Sequence, residues 1–142
     1  MKVGFIGLGN VGSKLAKNLI NNDFSLCVLD LNTSLSPSYL KMGVEWGKNP
    51  KELAISCDVI ITCLPSPQAC SAVMEGSDGV IEGLSEGKIW LEMSTTDFEE
   101  VRRIGELITS ANGQPMDCPV SGGCHRAATG NISIFAGGER KT

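Results

Sequence analysis

Histidine, paired cysteines, basic runs and long apolar stretches are what this sequence of 142 residues has least of. Twelve basic side chains stand against 16 acidic ones, for a net charge of -4, and no basic stripe appears. That balance argues against a polyanionic partner such as nucleic acid. The one histidine, His125, has no partnered acid or nucleophile pattern around it and reads as a loop residue rather than a catalytic base. The cysteines Cys27, Cys57, Cys63, Cys70, Cys118 and Cys124 form no CxxC pair, and several fall in predicted strands. Reduced, mostly buried thiols are therefore expected, with no metal site. The first strand begins at the amino terminus and its apolar run is broken by Gly and Asn, so neither a signal peptide nor a membrane span is expected. A cytoplasmic protein follows from that reading. Linkers and low-complexity segments are missing too, which leaves a single domain, long enough to bury about 68–70% of the surface of its unfolded chain.

What is present begins with Val3 to Leu19, VGFIGLGNVGSKLAKNL, an apolar run leading through a glycine-rich turn into a helix pattern. Each glycine has a separate task. Gly7 allows the tight turn, Gly9 lets backbone approach a pyrophosphate, and Gly12 lets the helix pack on the sheet. Val11, Leu15, Ala16, Leu19 and Ile20 recur at helical spacing, and Asn21-Asn22-Asp23 stops the helix. Leu26-Cys27-Val28-Leu29 then forms a buried strand ending in Asp30, about twenty residues past the glycines, where a carboxylate can meet an adenosine ribose. A solvated turn is the plainer reading of Asp30. Leu31 and Asn32 follow it, and no Lys or Arg lies between Lys17 and Lys41. A 2′-phosphate would be repelled by Asp30, so NAD is favoured over NADP.

The alternation continues. Leu35 to Met42 is predicted helical, with Ser36 as cap and Pro37 at its first position, and Asn49-Pro50-Lys51-Glu52 repeats that start signal. Asp58 to Leu64 is a nearly continuous apolar run, as expected of a strand covered on both faces. Pro65-Ser66-Pro67 follows, at once a helix start and the place where a crevice should lie. Lys88 to Glu92 predicts another strand, with Ser94-Thr95-Thr96 at the same end. Thr96 and Glu99 suggest a capping box for a helix burying Val101, Ile104, Ile108 and Ala111, which closes near Asn112-Gly113. A last unit begins at Pro115-Met116-Asp117. The expected fold is α/β, Rossmann-like and doubly wound, with a mainly parallel sheet and helices on both faces.

Taken together, GFIGLGNVG (Gly4 to Gly12), CLP (Cys63 to Pro65), EMSTTD (Glu92 to Asp97) and DCPVSGG (Asp117 to Gly123) resemble the cofactor domain of the β-hydroxyacid dehydrogenases. The similarity is to the 3-hydroxyisobutyrate and 6-phosphogluconate dehydrogenase type and spans essentially the whole chain. It implies cofactor contacts at Gly7, Leu8, Gly9, Asn10, Val11, Gly12, Asp30 and Leu31. Leu64, Pro65, Ser94 and Thr95 are implied beside the dinucleotide on its way to the nicotinamide. Ser121, Gly122 and Gly123 fall on the substrate motif, where a hydroxyl and backbone donors could receive a carboxylate. Without the resemblance, Pro119 to Gly123 reads as an ordinary glycine-rich turn, and Arg126 reads either as an anion-holding residue or as a solvated charge.

The resemblance also implies a catalytic lysine on a helix following the cofactor domain, expected beyond Thr142. Lys141, just after Gly137-Gly138, matches that lysine in neither neighbours nor position. No catalytic residue is assigned within the chain, and the helical domain that completes the substrate pocket and dimer interface is expected to be absent. The full-length parent is expected to be a homo-oligomer. The expected role is thus the NAD-binding part, residues 1–142, of an oxidoreductase acting on a small 3-hydroxy acid, inactive alone. A semialdehyde reductase of the same family and a non-catalytic nucleotide-binding scaffold remain open. An S-adenosylmethionine enzyme is disfavoured by the STT and PVSGG segments.

Overall fold

The computed structural model describes residues 1–139, so the tail residues Arg140, Lys141 and Thr142 lie outside the described part. Alternation along short strands builds the sheet, because successive side chains leave opposite faces. In β1 (Lys2–Ile6), Val3 and Phe5 join one core layer and Ile6 the other. β2 (Ser25–Leu29) lies parallel to β1, from Lys2↔Ser25 to Ile6↔Leu29. Between them α1 (Gly12–Asn21) buries Leu15 and Ala16 against the layer of Val3 and Phe5.

After β2, a 3-10 turn over Thr33–Leu35 is capped by Asn32 and runs directly into α2 (Ser36–Lys41). Ser36 is therefore not a cap. The preceding turn has already brought the chain to helical dihedrals, and Ser36 is the first residue of α2. β3 (Glu45–Trp46) precedes α3 (Pro50–Ser56), which starts as expected, with Asn49 Oδ1 accepting the Glu52 amide at 2.8 Å. β4 (Val59–Thr62) is buried throughout but shorter than the predicted run. The Cys63 amide still reaches Ile6 O at 3.0 Å, and Leu64 then turns its own amide to the Ser94 hydroxyl.

α4 (Pro67–Glu75) is capped by Ser66, and α5 (Val80–Gly83) and β5 (Ile89–Glu92) follow. The Thr96–Glu99 box does not form at α6 (Phe98–Ser110). Asp97 Oδ1 instead accepts the Glu100 amide at 3.0 Å, as its higher capping rank allows. Val101, Ile104 and Ile108 are buried as expected, whereas Ala111 sits half-buried just past the helix end. β6 (Gln114–Asp117), β7 (Val120–Ser121), α7 (Gly123–Thr129), β8 (Ser133–Ile134) and β9 (Gly137–Gly138) complete the described chain. His125 lies within α7 rather than in a loop.

The main sheet has the order β3-β2-β1-β4-β5-β6-β9, parallel except for β9, while β7 and β8 form a separate antiparallel ribbon. Residues of α1, α2 and α7 pack on one face; α3 to α6 cover the other with Leu53, Met74, Val80 and Ile104. This is a Rossmann-like, doubly wound fold. Cys27, Cys57, Cys70 and Cys118 are buried, Cys63 is half-buried and Cys124 exposed, all as free thiols. Among the described residues, no helix is long and apolar enough to cross a membrane.

Candidate functional site

The chain order reverses between β1 and β4, and outside the carboxyl ends of β1, β2, β4 and β5 lies a cavity of about 850 Å³. Open α/β sheets place ligands at such a reversal. A second hollow of about 580 Å³, between α6 and β6, contains none of the predicted site residues.

At the β1 side the glycines define the wall. Gly7 has φ +99°, and a Cβ there would lie 2.3 Å from Cys63 O; at Gly12 it would lie 2.0 Å from Gly7 O. Gly9 differs, since nothing lies within 4 Å of an added Cβ. Val11 stands at the cap position before α1 and offers no side-chain cap, and among the described residues the amides of Gly9, Asn10, Val11 and Gly12 find no protein acceptor. Unsatisfied amides at a helix start form an anion site. Leu8 contributes its backbone only: its side chain is in the core, and its amide donates to Asp30 Oδ2 at 2.6 Å.

Asp30 accepts a second amide, that of Asn32, on Oδ1 at 2.7 Å, and remains half-buried on the crevice wall. Nearby, burial and the Asp30 charge push the Tyr39 phenol up. The exposed Leu31 lines the mouth together with Lys48. Sequence reasoning missed Lys48, because its search for a cation went no further than the segment after β2. The pairing Val28↔Trp46 is what carries Lys48 to the Asp30 end.

The other end is built from Leu64, Pro65, Ser94 and Thr95, all lining the crevice. The Leu64 amide donates to Ser94 Oγ at 2.7 Å, joining the turns after β4 and β5. Beneath them Glu92 is wholly buried. Its Oε1 accepts the Ser94 amide at 2.6 Å, and its Oε2 accepts Thr62 Oγ1 at 2.7 Å and Cys70 Sγ at 3.2 Å. Thr62 in turn accepts Trp90 Nε1 at 2.8 Å. Burial, with Glu92 adding its charge, pushes the Cys63 thiol up to about 11 and raises Asp117 as well. The β5 sequence, three apolar residues and then Glu92, gave no sign that its last residue is sealed.

Thr95 is exposed, and its Oγ1 donates to Val120 O at 3.3 Å, which links the crevice to the third predicted segment. Ser121, Gly122 and Gly123 are themselves exposed and do not line the cavity. They lead into α7, which is held to α1 by Asn18 Nδ2 donating to Ala127 O at 2.6 Å. Arg126 is exposed, with its aliphatic stem over Gly122. The remaining predicted residues, Gly7, Gly9, Asn10, Val11, Gly12, Asp30, Leu31, Leu64, Pro65, Ser94 and Thr95, all line this one cavity.

These parts fit a dinucleotide: open amides for a pyrophosphate, room over Gly9, and carboxylate oxygens where a ribose would lie. The family model described as the NAD-binding domain of 6-phosphogluconate dehydrogenase matches residues 2–142. The chain belongs to this family.

Among relatives, the cytokine-like nuclear factor N-PAC of Homo sapiens is 31% identical over 139 residues, covering 98% of this chain and 25% of that protein. The mitochondrial 3-hydroxyisobutyrate dehydrogenase of Mus musculus is 33% identical over 136 residues, covering 96% of this chain and 41% of that enzyme. The chain thus spans less than half of either relative. In fold it is similar to the solved structure of Psf3 in complex with NADP+ and 2-OPP, with a TM-score of 0.92 at 24% identity over 98% of this chain and 49% of that one.

Proposed function

We propose that the chain is the cofactor-holding part of an NAD-dependent oxidoreductase that moves hydride between the cofactor and a small 3-hydroxy acid. The observation that carries this reading is the row of unpartnered amides at Gly9 to Gly12 beside the Asp30 carboxylate, at the point where the sheet order reverses. The amides would hold the pyrophosphate and Asp30 the adenosine ribose. Leu64, Pro65, Ser94 and Thr95 would flank the nicotinamide end. When bound, the cofactor supplies the hydride donor or acceptor; the protein supplies position and electrostatics. Similarity to the mouse 3-hydroxyisobutyrate dehydrogenase supports the hydroxy-acid class.

NAD is preferred on the charge of Asp30, since a like charge at about 4 Å and an effective dielectric of about 20 costs on the order of 4 kcal/mol. Lys48 at the same end works against that preference, and the similar Psf3 structure holds NADP+. Ser121 to Gly123 would take the substrate carboxylate once that segment faces the crevice. Among the described residues lining the Leu64–Thr95 end, none is Lys, His, Tyr, Asp or Glu, and burial pushes the Cys63 thiol up to about 11, which leaves no ready acceptor for a hydroxyl proton there. On this reading the described residues bind cofactor without turning over a hydroxy acid, and the proton would be taken by a lysine outside them. Titration with NADH, NADPH and S-adenosylmethionine, followed by calorimetry, tests this reading. NADH should bind tightest, and tighter NADPH binding would reverse the reading of Asp30. Dehydrogenase turnover by the chain alone would refute its dependence on an external proton acceptor.

A semialdehyde reductase would use the same residues in the opposite direction. A non-catalytic nucleotide-binding role is favoured by the lack of a ready proton acceptor among the described residues at that end and by the likeness to the nuclear factor N-PAC. Assay of the full parent with hydroxy acids and with semialdehydes distinguishes these readings, and inactivity on both favours the scaffold.

A further inference from the structure

We propose that Glu92 makes the crevice favour the oxidised cofactor over the reduced one, by holding a sealed negative charge beneath its Leu64–Ser94 end. The inference rests on the preceding reading of that end as the nicotinamide side. Glu92 is wholly buried, and donors surround it: the Ser94 amide on one oxygen, and on the other the Cys70 thiol and the Thr62 hydroxyl, which takes the Trp90 indole N–H and turns its own proton to Glu92. Such a ring of donors suits the ionised carboxylate. No Lys, Arg or His among the described residues bonds to it, so dipoles rather than a cation balance the charge.

Charged groups around it do not cancel the field. Asp117 is its register partner on β6 and has the same sign. Arg103, on α6, is held by Glu75 and Glu100 at the helix surface. Lys88, at the opposite end of β5, donates to the carbonyls of Ala54, Ile55 and Cys57. The path from Glu92 to the crevice is short, because its Oε1 bonds the amide of Ser94, a lining residue that is itself 5% exposed. Salt screens a buried charge of this kind poorly. An oxidised nicotinamide ring is cationic and the reduced ring is neutral, so the field acts on one form and leaves the other. A ligand shifts between states only through such a difference.

A purely structural role predicts something else: loss of Glu92 would loosen the Leu64 and Ser94 turns and weaken both forms alike. Calorimetric titration with NAD+ and NADH of the wild-type protein, E92Q and T62V separates the two. In the wild type NAD+ should bind about fivefold tighter than NADH, the scale of one charge acting on another through a partly screened interior. E92Q should remove that advantage while changing NADH by less than about twofold. T62V loses a donor to Glu92 but keeps the charge, and should shift both forms by the same factor. Equal losses for both forms in E92Q overturn the proposal. Tighter NADH than NAD+ binding by the wild type does so too, and that measurement stands even where E92Q does not fold. If neither form binds the folded wild type, the cofactor reading itself fails and takes this inference with it.

Discussion

Asp30 and Glu92 occupy matching places toward the two ends of one crevice, and they differ most in burial. Each follows or ends a parallel strand, each accepts the amide two residues on, and each reaches a neighbouring strand or its loop with the other oxygen. Asp30 is half-buried and keeps lone pairs toward the cavity; Glu92 is sealed. The open carboxylate can bond a ligand directly. The sealed one can only arrange the residues that do and project its charge through them. On the proposed reading the same chemical group would serve recognition at one end and positioning at the other, with solvent access deciding which.

The largest effect should come from severing the join between the two ends. Gly7→Ala drives a methyl to within 2.3 Å of Cys63 O at a φ of +99°, and should lower stability in chemical denaturation by about 3 kcal/mol. Gly9→Ala meets nothing, so its denaturation midpoint should stay within about 0.5 kcal/mol of wild type while NADH binding falls. Next is a matched pair of deletions. Glu92→Ala strands the buried Ser94 amide and Thr62 hydroxyl and should cost about 3 kcal/mol, whereas Asp30→Ala exposes its amides to water and should cost about 1 kcal/mol. Equal losses would mean that burial does not distinguish the two carboxylates. Asp30→Ala should also narrow the NADH-over-NADPH preference by about tenfold, about 1.4 kcal/mol, less than the full repulsion because solvent screens the half-buried Asp30, with Lys48→Ala widening it, both read by calorimetry.

The smallest effect lies away from both ends. The Arg103 guanidinium, with help from Ser71, lowers the Glu100 carboxyl to about 2. A depressed carboxyl adds stability that is present above its ordinary value near 4.5 and is lost as pH falls toward about 2. Arg103→Ala should therefore flatten the acid limb of the melting temperature between those values and leave neutral-pH cofactor binding unchanged.

Strand alternation, the glycine turn and the Asn49 and Ser66 helix starts were legible because each depends on a few neighbouring residues. Asp30 was legible for the same reason: it ends a strand at a fixed interval from the glycines. Features set by strand pairing were not. Lys48 reaches the crevice through the register of β3 with β2, and Glu92 is sealed by Thr62 and Cys70 from other elements. The α6 start failed on local competition, since Thr96 and Asp97 are both capping residues and the stronger one, Asp97, took the helix start. Ser121 to Gly123 were named by motif, but the path of β7 into α7 leaves them outside the cavity wall.

The central claim is that the unpartnered amides of the glycine loop receive the dinucleotide. Following backbone amide resonances while NAD+ is added tests it most directly. The account predicts saturable shifts at Gly9, Asn10, Val11 and Gly12, with smaller ones at Leu8 and Asn32 through Asp30. Unmoved loop amides in a protein that still binds NAD+, or shifts confined to the hollow between α6 and β6, would contradict it.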